Sequence, residues 1–205
     1  MVRPVTLEGP RVRLRPWRDE DLAPLAALNG DPVAMRHFPA PMTRAESDAW
    51  AARMRAQVER EGWGYWVVEH PGTAPFLGVV GLMPVAWESW FTPAIEIGWR
   101  IAPAFQRRGY AEEAARLALA FGFGREGLGL REIVAFTVPA NLASRGLMAK
   151  LGFEEAGGFA HPRLPEGHPL RWHLLHRLRG EGWAQRVARQ ASAAPWVTAM
   201  GDDGA

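Results

Sequence analysis

Seven residues, Ile95-Glu-Ile-Gly-Trp-Arg-Ile101, constrain the fold more than any other segment of the chain. Apolar side chains take the odd positions, and Glu96, Gly98 and Arg100 take the even ones. A period of two is that of an extended strand with one apolar face, not of an amphipathic helix. Pro103 follows, then Gln106-Arg-Arg-Gly-Tyr-Ala111, then a helix-period run to about Phe123. The segment therefore reads as strand, glycine bend, helix.

The rest of the chain supplies a sheet for that strand and helices to cover it. Val12–Leu14 alternates with Arg11, Arg13 and Arg15 as a half-buried strand, and Asp19-Glu20-Asp21 opens a helix through Leu28. Thr43 and Glu46 have capping-box spacing for a helix from Arg44 to about Glu61. Tyr65–Glu69 and Phe76–Met83 flank a His70-Pro-Gly turn as a hairpin. Glu132–Val138 reads as a strand, Asn141–Leu151 as a helix, Gly152-Phe153 as the stop of that helix and the beginning of another strand, and Leu170–Leu178 as a last strand. The expected order is β-α-α-β-β-β-α-β-α-β-β, a mixed α/β sheet packed by helices. At 205 residues this is one domain, placed at 5–183, with a C-terminal helix and frayed tail over 184–205.

Composition removes several classes of function. Without cysteine there is no disulfide, thiolate nucleophile or Cys-type metal site. All but Lys150 of the 24 basic residues are Arg, but they are spread among 22 acidic ones. A nucleic-acid surface needs them gathered on one face, so no nucleic-acid partner is expected. Residues 1–20 carry five Arg and no apolar run, and the longest uncharged stretch, Pro71 to Trp87, is broken by Pro and Gly. A cytoplasmic protein without a membrane span is expected. His173 and His176, three apart on one strand, point to opposite faces, so no metal site is expected.

Residues 106–111 carry the chemistry. Gly109 permits close backbone approach, and the first turn from Tyr110 leaves N–H groups without intrahelical partners. With the helix dipole these donors suit a phosphate, and Arg107 and Arg108 add charge at the rim. The bend matches neither a P-loop nor a dinucleotide-binding Gly-x-Gly-x-x-Gly; without further context it is equally a capped loop.

Gln106-x-x-Gly109-x-Ala111 resembles the [Gln/Arg]-x-x-Gly-x-[Gly/Ala] pyrophosphate loop of the GNAT superfamily of acyl-CoA-dependent N-acyltransferases. Asn141-x-x-Ser144 with Leu151-Gly152-Phe153 is similar to that family's second signature. Glu96-Ile-Gly-Trp99 and the opening Leu7–Pro16 look like its RimJ/RimL branch. The resemblance implies a single domain with a mostly antiparallel central sheet flanked by helices. It implies acetyl-CoA as cosubstrate and an amine as acceptor. It places coenzyme contacts at Ile97, Gly98, Trp99, Ile101, Gln106, Arg107, Arg108, Gly109, Tyr110, Ala111, Asn141 and Ser144.

Direct acetyl transfer needs a neutral amine and a proton for the leaving thiolate. Glu96 lies near the position of the catalytic glutamate in histone-acetyltransferase relatives, and is a base if burial raises its pKa; the alternative is an ion pair with Arg100. The resemblance offers Ser144 as the thiolate's proton donor, because Met148 stands where many members carry Tyr. Asn141 is also a good N-cap. On the acceptor side, the His161–His173 stretch is rich in Pro and polar groups. Arg163, Glu166, His168 and Arg171, with Trp87, are the candidate acceptor contacts. Trp87, Trp90 and Phe91 form either an acceptor wall or a contact between two copies of the chain. A peptide N-terminal amine is the first acceptor implied by the branch; a small amine or antibiotic, or acyl-CoA binding without turnover, are the alternatives.

Overall fold

The alternation at 95–101 does form a strand, and it lies fifth in an eight-stranded sheet among the described residues. The computed structural model describes residues 2–193. In chain order the elements are β1 (Leu7–Glu8), β2 (Arg13–Arg15), α1 (Leu22–Gly30), α2 (Arg44–Glu61), β3 (Tyr65–His70), β4 (Ala74–Pro84), β5 (Ile95–Ile101), α3 (Tyr110–Phe123), β6 (Glu132–Thr137), α4 (Leu142–Leu151), β7 (Glu154–Ala160), β8 (Trp172–Arg179) and α5 (Gly180–Ala193). The sheet order is β1-β2-β3-β4-β5-β6-β8-β7. Every neighbouring pair is antiparallel except β5 with β6.

Two details differ from the sequence reading. β1, two residues long, precedes the first expected strand and pairs Leu7 with Leu14; it is too short to show a period. The last helix begins at Gly180, so a boundary at 183/184 cuts through it. Trp183 is buried and packs near Phe123 of α3, which joins this helix to the domain core. The expected frayed tail from 194 onward lies outside the described residues. Among the described residues no helix is long and apolar enough to cross a membrane.

Local chemistry explains the helix ends. The Thr43 hydroxyl accepts from the Glu46 N–H at 3.2 Å, while the Glu46 carboxylate accepts from the Thr43 N–H at 2.7 Å. This reciprocal cap starts α2, and Gly62 in the left-handed region ends it. Along α2, Ser47, Ala51, Met54 and Val58 follow helical spacing and are buried.

The sheet has a different core on each face. The odd positions of β5 pack toward α3 in a cluster with Leu77, Leu82, Ala114, Ala118 and Ile133. Val67 and Val79 face the other way, against Leu25, Leu28, Ala51 and Met54 of α1 and α2. Val79 lies opposite Arg100 in the β4–β5 register, so the even positions of β5 share this second face. Glu96, Gly98 and Arg100 therefore look toward α1 and α2.

A buried charge network holds the edge of that second layer. Arg15 donates to both carboxylate oxygens of Asp21, at 2.8 and 2.7 Å, to Glu69, and to the Pro75 carbonyl at 2.8 Å. All three charged side chains are nearly inaccessible. Removing the cation leaves two buried carboxylates without their main partner. Arg15→Ala is expected to cost about 3–5 kcal/mol, read by urea denaturation. Arg55→Ala, which breaks an exposed pair with Asp19, should cost less than about 1 kcal/mol.

Candidate active site

β5 and β6 run parallel and are paired at a single register, Glu96 opposite Val134. Beyond it Ile97–Ile101 pair only with β4, and Ala135–Thr137 only with β8. The strands part there, and parallel strands bring the loops after both to the same end. One loop leads into α3 and the other into α4, so both helix N-termini flank the gap.

The loop into α3 is an unsatisfied donor array. From Arg107 to Glu112 the main-chain N–H groups have no acceptor among the described residues; the first helical bond is the Glu113 N–H to the Gly109 carbonyl, 3.1 Å. Arg107 and Gly109 both adopt positive φ, 61° and 83°, which turns successive amides into one concavity. A Cβ on Gly109 would lie 3.1 Å from Arg11 Nη2, besides being strained at that φ. Neighbours fix the bend from both sides. Gln106 Nε2 donates to the Ile101 carbonyl at 2.8 Å, and Arg11 Nη1 donates to the Arg108 carbonyl at 3.1 Å. Arg11 also pairs with Glu113 at 2.7 Å and lies over the Tyr110 ring. Arg107 and Arg108 are exposed, and Ala111 sits in the first turn. The arrangement suits a multiply charged oxyanion such as a diphosphate.

Ile97 and Ile101 are buried and Trp99 packs against the same core, so their side chains face away from α1 and α2. At the start of α4, Asn141 uses both ends of its amide. Oδ1 accepts from the Ser144 N–H at 3.2 Å, and Nδ2 donates to Thr137 Oγ1 at 3.0 Å. The Ser144 hydroxyl is partly exposed and has no hydrogen-bond partner among the described residues. Met148 is buried in the core.

The even face of β5 carries two charges and a residue that sequence reasoning did not single out. Gly81 and Gly98 sit opposite each other on β4 and β5, with Tyr65 opposite Gly81 on β3. A Cβ on either glycine would collide with Tyr65, on Gly98 with the hydroxyl itself. The two glycines thus form a trough across which the Tyr65 ring lies, delivering its hydroxyl to β5 between Glu96 and Arg100. Burial, then the Glu96 charge, push the Tyr65 hydroxyl well above its ordinary range, so it stays neutral. Paired glycines inside two adjacent strands were the available signal, since a strand interior spends glycine where something approaches closely.

Glu96 makes no hydrogen bond or ion pair among the described residues. Burial pushes its carboxyl up to about 7, against the pull of the Arg163 guanidinium. The alternative of a Glu96–Arg100 ion pair is not realised. Arg100 turns instead to Asn29 Oδ1 and lies over the rings of Phe38 and Trp50.

From the far side, Trp87 approaches Phe136 and His161, with centroids at 5.6 and 4.7 Å, and Arg163 lies over the Trp87 ring at 5.2 Å. The His161 and His173 rings lie 5.0 Å apart, tilted by 48°, and burial lowers both, His161 to about 4, leaving neutral rings. Trp87 and Arg163 thus come together near Glu96. Glu166 is exposed; the His168 ring accepts from the Leu170 N–H within its own turn, and Arg171 Nε is buried without an acceptor. The structure does not bring these three to Glu96. Trp90 is exposed and lies over Arg177, away from Trp87.

The Acetyltransferase (GNAT) domain family matches residues 11–154. An uncharacterized Bacillus subtilis protein, YkkB, is 32% identical over 143 residues, 69% of this chain and 81% of that protein. FsC-acetyl coenzyme A-N(2)-transacetylase of Aspergillus fumigatus is 29% identical over 210 residues, 95% of this chain and 85% of the relative. Among solved structures, Mycobacterium smegmatis RimJ in complex with CoA-disulfide has a TM-score of 0.71 at 25% identity, covering 94% of this chain and 95% of the other.

The Glu96 environment is measurable without any ligand. Its carboxyl should titrate near 7 by carbon-detected NMR, and Arg163→Ala should move that midpoint upward, because the guanidinium favours the anion. A folded pKa above the unfolded value gives stabilisation that is complete at low pH and lost as pH rises through the folded pKa. Glu96→Gln should therefore gain stability relative to wild type between about pH 4.5 and 7, read by denaturant titration at both ends.

Proposed function

The chain belongs to the GNAT acetyltransferases and uses acetyl-CoA as cosubstrate, and from that premise we propose that it acetylates a primary amine. The observation that carries this reading is the parted β5–β6 pair, with unsatisfied amides at its open end and an unpaired, raised carboxyl at its closed end. The likeness to RimJ supports a peptide N-terminal amine as the acceptor. A free α-amine has a pKa of about 8 against about 10.4 for lysine, so less work is asked of a base.

Acetyl-CoA supplies an acetyl group activated as a thioester. The N–H groups of Arg107 to Glu112 would hold its diphosphate, with the exposed Arg107 and Arg108 side chains as counter-charges. Gly109 keeps that concavity open where a side chain would crowd Arg11. Glu96 would take the proton that the nitrogen loses as the new carbon–nitrogen bond forms, directly or through one water. As the carbon–sulfur bond breaks, the Ser144 hydroxyl or water would return a proton to the sulfur. Neutral His161 and His173 and the rings of Trp87 and Phe136 line the side opposite α1 and α2 and limit water near Glu96. Asn141 orients the start of α4 and hence Ser144.

Two measurements test this reading. Gly109→Val should weaken CoA binding at least tenfold by calorimetry, and unchanged affinity would take the loop out of the site. Glu96→Gln should lower turnover most between about pH 7, where Glu96 becomes an anion, and the pKa of the amine itself. A deficit that is flat across pH would make Glu96 a packing residue.

A further inference from the structure

Arg100 is a charge without a counter-charge. It stands four residues beyond Glu96 on the same face of β5, between the Phe38 ring at 4.7 Å and the Trp50 ring at 5.3 Å. Its Nη1 donates to Asn29 Oδ1, and Asn29 Nδ2 donates to Ser47 Oγ at 2.9 Å, which fixes which end of the amide faces the cation. No carboxylate of the described residues pairs with it, and its Nε is buried without an acceptor. Arg15, which is buried where Arg100 is half-buried, shows how this fold treats a structural arginine: two carboxylates and two carbonyls surround it. Withdrawing a charge from water without a counter-charge is unfavourable, and ring faces offset only part of that. A guanidinium carries five N–H donors and Asn29 engages one of its nitrogens, which leaves donors for a planar, forked partner. Tyr65, held neutral over Gly98, brings a hydroxyl donor to the same place.

We propose that Arg100, with Tyr65 beside it, receives an anionic group of the acceptor, so that the acceptor is a primary amine carrying a carboxylate several bonds from its nitrogen. This rests on reading Glu96 as the group that meets the amine. The two charged groups on this face of β5 then match a zwitterion, the ammonium toward Glu96 and the carboxylate toward Arg100. Their Cα atoms are about 13 Å apart along the strand. The Glu96 and Arg100 side chains cover part of that interval, and the adjacent amine and carboxylate of one α-amino acid are too close together to bridge the rest. A longer ω-amino acid bridges it, as does a peptide amine followed by Asp or Glu.

The test uses matched acceptors on the intact enzyme: 6-aminohexanoate against 6-aminohexanamide, and Ser-Glu-Ala amide against Ser-Gln-Ala amide. Thiol release from acetyl-CoA should favour the carboxylate member of at least one pair by roughly tenfold to a hundredfold, mainly through KM. The pair that responds identifies a small-molecule or a peptide source. Arg100→Met should erase the preference and Arg100→Lys should keep part of it. Equal kcat/KM within both pairs overturns the proposal, and needs no variant to be folded. A binding arm separates this from the transfer reading: N-acetyl-6-aminohexanoate, N-acetyl-Ser-Glu-Ala amide and the neutral partner of each are titrated into the CoA complex by calorimetry. Preferential binding of a carboxylate probe that Arg100→Met abolishes, with no amine releasing thiol, keeps the anion site and removes the transfer role of Glu96. Turnover without preference in either arm keeps the transfer role and removes the anion site.

Discussion

One parallel strand pair, closed at a single register, governs how the remainder of the molecule is used. Antiparallel neighbours exchange hydrogen bonds along their whole length, as β4 and β5 do over seven residues. β5 and β6 meet only at Glu96 and Val134, and they run parallel because the chain between them goes out through α3 and comes back. A sheet that parts leaves main-chain groups facing an opening, and such groups need partners. Here the opening has a helix N-terminus on either side and a carboxyl at its vertex.

The two layers divide the work. The α3 side is apolar and continuous, and it fixes β5 through Ile97 and Ile101. The α1–α2 side has given up close packing above β5, since Gly81 and Gly98 supply no side chain there. Tyr65 fills part of that space with its ring and leaves a hydroxyl beside two charges that never meet. Glu96 stays apart from Arg100 although both lie on one strand face. Asn29 and two rings hold the cation at one end, while the Trp87–Arg163 side closes in on the carboxyl at the other. A direct ion pair would have quenched both groups.

How much of this was legible in the sequence depends on the range of the interaction. The strand at 95–101, the Thr43 cap and the left-handed Gly109 depend on residues a few positions apart, and each was readable. The GNAT motifs were short-range too, which is why the fold and the cosubstrate followed from them. Contacts across the sheet were not readable. Asn29 meets Arg100 from 71 positions away, and Tyr65 reaches Gly98 only because three strands pair in one register. The polar residues of the 161–171 stretch suggested a shared role, but a turn separates them: Arg163 approaches Trp87 while Glu166 stays in solvent. Periodicity says which face a side chain occupies and nothing about what another part of the chain brings to it.

Arg11 ties the beginning of the chain to the donor loop. It holds the Arg108 carbonyl with one nitrogen and Glu113 with another, while the Glu113 carboxylate also accepts from the main-chain N–H groups of Arg11 and Val12. The first antiparallel pair and the donor loop are thus mechanically one part. Thermodynamic linkage then works in both directions: a ligand that tightens the loop also suppresses fraying of the segment around Arg11, and loosening that segment weakens whatever the loop holds.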